Sequence, residues 1–433
     1  MKTEPKTLPG FMELMPDEQI LFNNLMNIIK DSFEMYSFAP LDTPVIEYAE
    51  VLLAKAGGET EKQIYRFMKG DNDLALRFDL TVPLAKYVAK RYNDLVFPFK
   101  RYQIGKVFRG ERQQKGRYRE FYQCDIDVIG DETLSLSYDS EIPAVIYDVF
   151  RKMNIGKFII RINNRKILNG FFEYLGLTNK ISDILRIVDK IDKIGVPLVL
   201  EELRLLDIEQ DNINKIIDFI NIEGSNKEKL TKFKSLNIDD DLFNQGVNEL
   251  ETVFSNLLKM QLDETYFMID LKIARGLDYY TGTVYETNLV AYPEIGSICS
   301  GGRYDNLAQY YTDKQLPGVG ISIGFTRLFY LLRELNIIIP DKKNNADLVI
   351  VPLTEDLGYI YNVANTLRNN NKVVDIVYID KGIKQKMKYV DKIKTRMAIL
   401  IGDNEINNNT VIIKDMTTGN QEEVLTKDLI NKI

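Results

Sequence analysis

The spacing of apolar residues changes period several times along the chain, and those changes outline its elements. Between residues 16 and 37, Ile20, Leu21, Leu25, Ile28, Ile29 and Phe33 recur at helical spacing. Asp17 lies near the start, where the helix dipole favours an anion. Residues 38–47 read as a strand broken by Pro40 and Pro44. Residues 63–68 and 74–78 alternate around Lys-Gly-Asp-Asn-Asp, which predicts a hairpin. Residues 81–92 read as a helix with Pro83 tolerated in its first turn. Residues 98–107 and 118–128 alternate again, predicting two antiparallel strands joined by a charged loop. A helix over 137–153 and a strand near 157–162 follow.

From 163 to 263 glycine is scarce and helical periodicity dominates, as at 183–191 and 216–222, so this stretch reads as a helical insertion. Strand texture returns at 266–272 and 282–289, and 318–324 leads into a helix over 325–335. Residues 340–346, Pro-Asp-Lys-Lys-Asn-Asn-Ala, form a polar linker. Beyond it, buried strands at 348–351, 373–378 and 397–401 alternate with helices at 357–369 and 384–392, which predicts a separate α/β domain with a mainly parallel sheet. The asparagine runs 369–371 and 407–409 read as loops.

Composition narrows the chemistry. At 433 residues the chain should hold two or three domains. No apolar run reaches the roughly 20 residues that cross a bilayer, and the N-terminal stretch has no hydrophobic signal core. Its two cysteines, Cys124 and Cys299, cannot make a disulfide framework or a four-ligand zinc site, and reduced thiols fit a cytoplasmic location. With a net charge of −7, any nucleic-acid partner must be held by local patches. The chain has no histidine, which excludes histidine-dependent nucleophilic triads and leaves arginine, carboxylates, tyrosine and a bound cation to do the chemistry.

Residues 108–121 carry Arg109, Arg112, Lys115, Arg117 and Arg119 in and beside the hairpin loop. Arginines held at strand ends suit phosphate oxygens, because the planar fork gives two parallel hydrogen bonds. Phe121 offers an aromatic face to a purine. By itself the segment reads equally well as a solvated, charge-rich hairpin. Two further strings make it specific: Ala-Arg-Gly-Leu-Asp-Tyr-Tyr-Thr-Gly-Thr-Val-Tyr-Glu at 274–286 and Ser-Ile-Cys-Ser-Gly-Gly-Arg-Tyr-Asp-Asn-Leu at 297–307. With them the chain resembles the histidyl-tRNA synthetases, a family of class II aminoacyl-tRNA synthetases. The hairpin is similar to class II motif 2, residues 320–328 (Gly-Ile-Ser-Ile-Gly-Phe-Thr-Arg-Leu) to motif 3, and Pro44 stands where motif 1 has its proline.

The resemblance, which spans nearly the whole chain, implies an α+β fold: an antiparallel class II sheet flanked by helices (1–162 and 264–337), a helical insertion (163–263), a linker (338–345) and an α/β anticodon-binding domain (346–433). It implies ATP-dependent ligation of histidine to its tRNA through a histidyl-adenylate, with Arg109 and Arg275 at the α-phosphate, Arg117 and Arg327 at the outer phosphates, Phe121 stacked on adenine and Glu111 accepting from its amino group. Magnesium should accompany the triphosphate; the resemblance leaves metal ligands open, since Thr326 stands where many class II enzymes have an acid. For histidine it implies Asp127 and Tyr280 at the imidazole, Asp79, Thr81 and Gln123 at the α-ammonium, and Arg275, Tyr279 and Tyr304 around them. Asp127 is one carbon shorter than the glutamate often found there, and Arg-Phe-Asp-Leu-Thr at 77–81 follows the archaeal and eukaryotic wording. The motif 2 loop at 112–115 is expected at the tRNA acceptor end. The basic stretch 381–396, with seven cations against Asp391, is expected at the anticodon stem and loop. A homodimer with no membrane association is expected. The rival is a synthetase-like regulatory subunit of ATP phosphoribosyltransferase, which typically loses the catalytic arginines and the anticodon domain.

Overall fold

Where the sequence alternates with period two, the chain forms strands. In order these are β1 (Ala39–Pro40), β2 (Ile46–Tyr48), β3 (Arg66–Lys69), β4 (Asn72–Leu76), β5 (Phe99–Phe108), β6 (Glu120–Ile129), β7 (Phe158–Asn164), β8 (Phe267–Ile269), β9 (Thr283–Leu289), β10 (Ser297–Tyr304) and β11 (Gly318–Gly324). The structure, a computed structural model, describes residues 2–54, 59–112, 116–274, 280–305 and 308–433. The chain divides into two compact units, Met1–Met12 with Met26–Ile338, and Glu13–Leu25 with Ile339–Ile433.

The first unit is built on an eight-stranded sheet in the order β1-β5-β6-β11-β10-β9-β7-β8. Its pairings are antiparallel except β1 with β5 and β7 with β8. A smaller antiparallel sheet has the order β2-β4-β3. The strand expected over 38–47, broken by Pro40 and Pro44, is two short strands in different sheets. Between them Thr43 gives its carbonyl to Arg77 Nη1 at 2.6 Å rather than to a ladder, and Pro44 has no N–H to offer.

The register of the large sheet separates its two faces. Arg101, Gln103 and Gly105 on β5 lie opposite Asp127, Asp125 and Gln123 on β6. The latter three lie opposite Gly320, Ser322 and Gly324 on β11, which continue to Gly302 and Ser300 on β10. One face of the central strands is therefore polar or small. The intervening positions Cys124, Ile126, Val128, Val319 and Ile323 are buried. The Ser137–Met153 helix packs against β7 and β11 and buries Ile142, Val145, Ile146 and Val149. Strands apolar on one face and polar or small on the other alternate cleanly in sequence, which is why the hairpin is legible there. The helices between Asn163 and Asp263, from Arg165–Tyr174 to Asp241–Lys259, all belong to this unit.

The C-terminal residues form a five-stranded sheet, β12 (Leu348–Pro352), β13 (Val374–Ile376), β14 (Met397–Ile401), β15 (Thr410–Asp415) and β16 (Gln421–Leu425), in the order β13-β12-β14-β15-β16. Along β12, Leu348 and Ile350 pack with Ile360, Val363 and Leu367 of the Leu357–Asn369 helix. Val349 and Val351 face the opposite way, toward Val390 of the Ile383–Ile393 helix. Burial on both faces explains the uninterrupted apolar run. The parallel strands were expected; the antiparallel pair β15–β16 was not. Asn407 and Asn408 end a short helix, Asp403–Asn408, rather than lying in a loop, and Asn409 at φ 54° turns the chain into β15.

Candidate functional site

The charged loop is anchored before it meets any ligand. Arg77 is buried and donates through Nε to the Lys106 carbonyl at 2.7 Å and through Nη1 to the Thr43 carbonyl. That clamp fixes the segment carrying Phe78 and Asp79. Arg109 then donates through Nε to the Phe78 carbonyl at 3.2 Å. Its guanidinium lies 4.3 Å from the Phe78 ring centre and 5.1 Å from that of Phe121. Two aromatic faces and one carbonyl hold the cation against the sheet. Burial pushes Arg109 down from the ordinary arginine value, opposed by Asp79, Glu111 and Asp125. It stays protonated at neutral pH, with its charge poorly hydrated and available to an anion.

Arg327 comes from the other side. It follows β11 at the start of the Phe325–Glu334 helix, and its Nη2 donates to the Ile295 carbonyl at 2.6 Å. Thr326, the residue where an acid was considered, accepts from the backbone N–H of Tyr122 at 2.8 Å and ties this helix to β6. Arg109, Glu111, Arg117, Phe121, Gln123 and Arg327 line one cleft of about 360 Å³, whose far wall is Ile295 and the stretch from Ser297 to Ser300. Within it, Arg117 Nη1 and Glu111 Oε2 lie 3.4 Å apart. Arg119 does not join them: it donates to the carbonyls of Glu111 and Pro9 and fastens the loop.

Ser322 belongs both to this cleft and to a small inner cavity of about 30 Å³ lined by Thr81, Asp125, Asp127, Tyr280, Tyr304 and Gly320. Asp127 is buried. Its Oδ1 accepts from the Tyr304 hydroxyl at 2.9 Å, and its Oδ2 is 2.5 Å from Nη2 of Arg101, whose side chain is 0% exposed. Burial raises the Asp127 carboxyl while Arg101 and Tyr304 hold it down. Two glycines make this arrangement possible by close approach. A Cβ at Gly318 would lie 2.4 Å from the Tyr304 ring, and one at Gly320 would lie 2.3 Å from Asp127 Oδ1. Asp79 Oδ1 accepts from the amides of Thr81 and Val82, capping the Thr81–Arg91 helix. Tyr280 is raised well above the ordinary tyrosine value by burial and by Asp127. Arg303, two residues beyond Gly301, is part of the scaffold: it forms a buried ion pair with Asp139 and donates to the carbonyls of Leu134 and Ser135.

The structure thus brings Arg109, Glu111, Arg117, Phe121, Gln123 and Arg327 to the cleft, and Thr81, Asp127, Tyr280 and Tyr304 to the cavity beside it, with Asp79 at the adjoining helix start. Arg275, Tyr279 and Lys115 lie outside the described residues. Three residues not picked out from sequence share the site: Arg101, Asp125 and Ser322. The signal was present for Asp125, since alternation from Phe121 through Gln123 to Asp127 puts it on the same strand face. Arg101 and Ser322 required the ladder register across β5, β6 and β11.

An antiparallel sheet with arginines from two distant segments at one cleft, together with a C-terminal α/β unit, defines a class II aminoacyl-tRNA synthetase. The family model for histidyl-tRNA synthetase matches residues 10–328, and that for an anticodon binding domain matches residues 347–433. A histidine–tRNA ligase of Clostridium tetani is 53% identical over 99% of this chain and 98% of its own. The crystal structure of a histidyl-tRNA synthetase from Nostoc sp. PCC 7120 superposes with a TM-score of 0.93 at 41% identity, covering 100% of this chain and 99% of that one. The chain belongs to the histidyl-tRNA synthetase family. A Bacillus halodurans structure described as an ATP phosphoribosyltransferase regulatory subunit/histidyl-tRNA synthetase covers 93% of this chain and 99% of its own with a TM-score of 0.76. At 18% identity it shares the fold alone.

Proposed function

We propose that this chain ligates histidine to its tRNA at the expense of ATP. The observation that carries the reading is the convergence of Arg109, Arg117 and Arg327 with Phe121 on one cleft beside the Asp127 cavity. An amino-acid carboxylate, with a reference pKa of about 3.5, is already ionised at neutral pH. Its oxygen attacks the α-phosphorus, the bond to the β-phosphate bridging oxygen breaks, and pyrophosphate leaves; no proton moves and no histidine side chain is needed. The barrier lies in alignment and charge build-up, which fixed guanidiniums lower. In this reading Arg109 and Arg275 flank the α-phosphate, Arg117 and Arg327 take the outer phosphates, Phe121 stacks on adenine and Glu111 accepts from its amino group. In the second step the terminal ribose hydroxyl of tRNA attacks the acyl carbon, the bond from that carbon to the phosphate oxygen breaks, and AMP leaves with its phosphate taking up the hydroxyl proton.

Histidine recognition follows from polar pairing. A neutral imidazole has one donor and one acceptor; Asp127 would accept from one nitrogen and Tyr280 would donate to the other, with Asp79, Thr81 and Gln123 at the ammonium and Arg275, Tyr279 and Tyr304 closing the pocket. A ligand lacking these groups would strand buried polar atoms, so apolar amino acids are rejected. Magnesium would enter on the triphosphate, held by the phosphate oxygens.

In the C-terminal unit, exposed Lys384, Lys388 and Lys392 lie on the Ile383–Ile393 helix, and Tyr361, Tyr378 and Tyr389 are 42%, 63% and 36% exposed. Cations with interleaved aromatics suit a nucleic-acid stem and loop. Lys386 is committed instead to the Pro352 carbonyl. A homodimer is part of the reading. One face of the β2-β4-β3 sheet presents Ile46, Tyr48 and Phe67, each at least 39% exposed, and an apolar face of that kind suits a partner. Among the described residues no helix is long and apolar enough to cross a membrane; a cytoplasmic setting is proposed. The regulatory-subunit alternative is the weaker one, since Arg109 and Arg327 share the cleft and residues 347–433 match an anticodon-binding domain. The test is charging of a histidine tRNA transcript with labelled histidine. ATP-dependent esterification is expected; none from folded chain would remove the reading.

A further inference from the structure

Three carboxylates act on one another around the inner cavity, and they are not equally occupied. Asp79 gives an oxygen to two helix amides, so its charge caps a helix. Asp127 has Arg101 on one oxygen and Tyr304 on the other. Asp125 stands between Gln123 and Asp127 on the same strand face, 2% exposed, opposite Gln103 and Ser322. Its Oδ1 is buried with no hydrogen-bond partner among the described residues. Ser322 lies opposite it across the ladder and holds its carboxyl down, and the Ser322 oxygen accepts from Gln123 Nε2 at 2.8 Å.

A hydroxyl has one proton, so Ser322, receiving from Gln123, has its own left for a second acceptor, and Asp125 is the residue opposite it on the ladder. That relay orients the Gln123 amide with Oε1 as an outward acceptor, and Oε1 is likewise buried and unpartnered among the described residues. Two such acceptors, two residues apart on one strand and one of them anionic, demand a ligand carrying several N–H donors and a positive charge. A neutral imidazole brings a single donor and no charge. An ammonium brings three donors and the charge.

Resting on the function proposed above, we propose that Asp125 is a further anionic partner of the substrate's α-ammonium group beside Asp79, with Gln123 Oε1 as a neighbouring acceptor. Asp125 is thereby a specificity-determining residue: it favours amino acids over their deaminated analogues. Burial pushes its carboxyl up to about 7, with Arg101 and Ser322 pulling it back and Asp127 and Asp79 adding to the rise. Arg109, Tyr280, Cys124 and Cys299 also feel its charge. An ammonium in contact favours the ionised carboxylate, so binding near neutral pH expels a proton.

Titration calorimetry on the full chain tests this with two probes. Histidinol keeps ammonium and ring; imidazolepropanoate keeps the ring and lacks the ammonium. Asp125→Asn should weaken histidinol by at least about tenfold, the size of a lost charge-assisted hydrogen bond, and leave imidazolepropanoate within about twofold. Equal weakening of both probes, or of neither, would overturn the assignment. The unmodified chain supplies a second measurement that needs no variant. In buffers of differing ionisation heat near neutral pH, histidinol should release protons in excess of those lost by its own ring, and imidazolepropanoate should not; no excess for histidinol, or an equal excess for both, would also overturn it. Histidine-dependent ATP–pyrophosphate exchange runs alongside. Exchange with a failed Asp125 test removes this proposal alone, whereas no exchange and no binding of either probe removes the functional reading and this proposal with it.

Discussion

Arg109 is held in place before any ligand arrives. Its guanidinium is already positioned by Phe78 and Phe121, so in the proposed function a phosphate would meet a fixed fork rather than a searching side chain. Arg109→Ala should lower kcat/KM for histidine-dependent exchange by about 10²–10³-fold, the scale seen when one preorganised donor is removed. Arg109→Lys should recover little, because a point charge cannot reproduce the fork or its stacking. Steady-state kinetics of both variants checks this; near-complete rescue by lysine would mean charge alone matters.

Asp125 carries the opposite signature, a cost to stability. Its carboxyl is raised from the ordinary 3.8 to about 7. Between those values the folded chain holds a proton that the unfolded chain has released. The contribution is therefore fully present below the lower value and lost as pH rises through the upper one. Asp125→Asn removes that loss. Its Tm relative to the unmodified chain should climb from pH 5 to pH 8, with a gain on the order of 1–4 kcal/mol. Thermal melts at the two pH values check it, and a constant difference would mean that Asp125 does not titrate in the folded chain across that range.

At the scale of elements, the site depends on what β11 leaves out. Gly318 and Gly320 give up side chains so that Tyr304 and Asp127 can occupy the space between strands. Gly320→Ala places a methyl group 2.3 Å from both Asp127 Oδ1 and the Ile126 carbonyl. The predicted result is a stability loss of about 1–3 kcal/mol and a larger rise in KM for histidine than for ATP, measured by melts and by exchange kinetics. This glycine pattern is also where legibility in sequence ended. The strands of the hairpin and the α/β strands announced themselves, because alternation and two-sided burial leave distinct patterns. The antiparallel pair β15–β16 did not: Gln421 to Leu425 is exposed except for Val424, so only one buried apolar position marks the strand. Arg101 is an arginine inside a strand, and its burial beneath Asp127 follows from cross-strand register, which no local pattern encodes. Phe121, Gln123 and Asp127 were readable because their spacing and type match a known family. Asp125 fits the same spacing and was passed over because no motif named it.

At the scale of the whole molecule, the proposed dimer makes a concrete demand on the exposed face of the β2-β4-β3 sheet. Ile46 and Tyr48 are 47% and 54% exposed, and charge there would oppose burial against a second copy. Sedimentation velocity should give a dimer for the unmodified chain and a shift toward monomer for Ile46→Asp with Tyr48→Asp. A dimer unchanged by both would place the interface elsewhere.

Beneath all of this is a single claim: one surface of the large sheet activates histidine with ATP, using arginines and carboxylates and no histidine of its own. Isotope exchange between pyrophosphate and ATP, run with each of the twenty amino acids in turn, addresses it most directly. Exchange should appear with histidine alone and vanish in Arg327→Ala. Exchange with another amino acid, or none from folded and active-concentration-titrated chain, would contradict it.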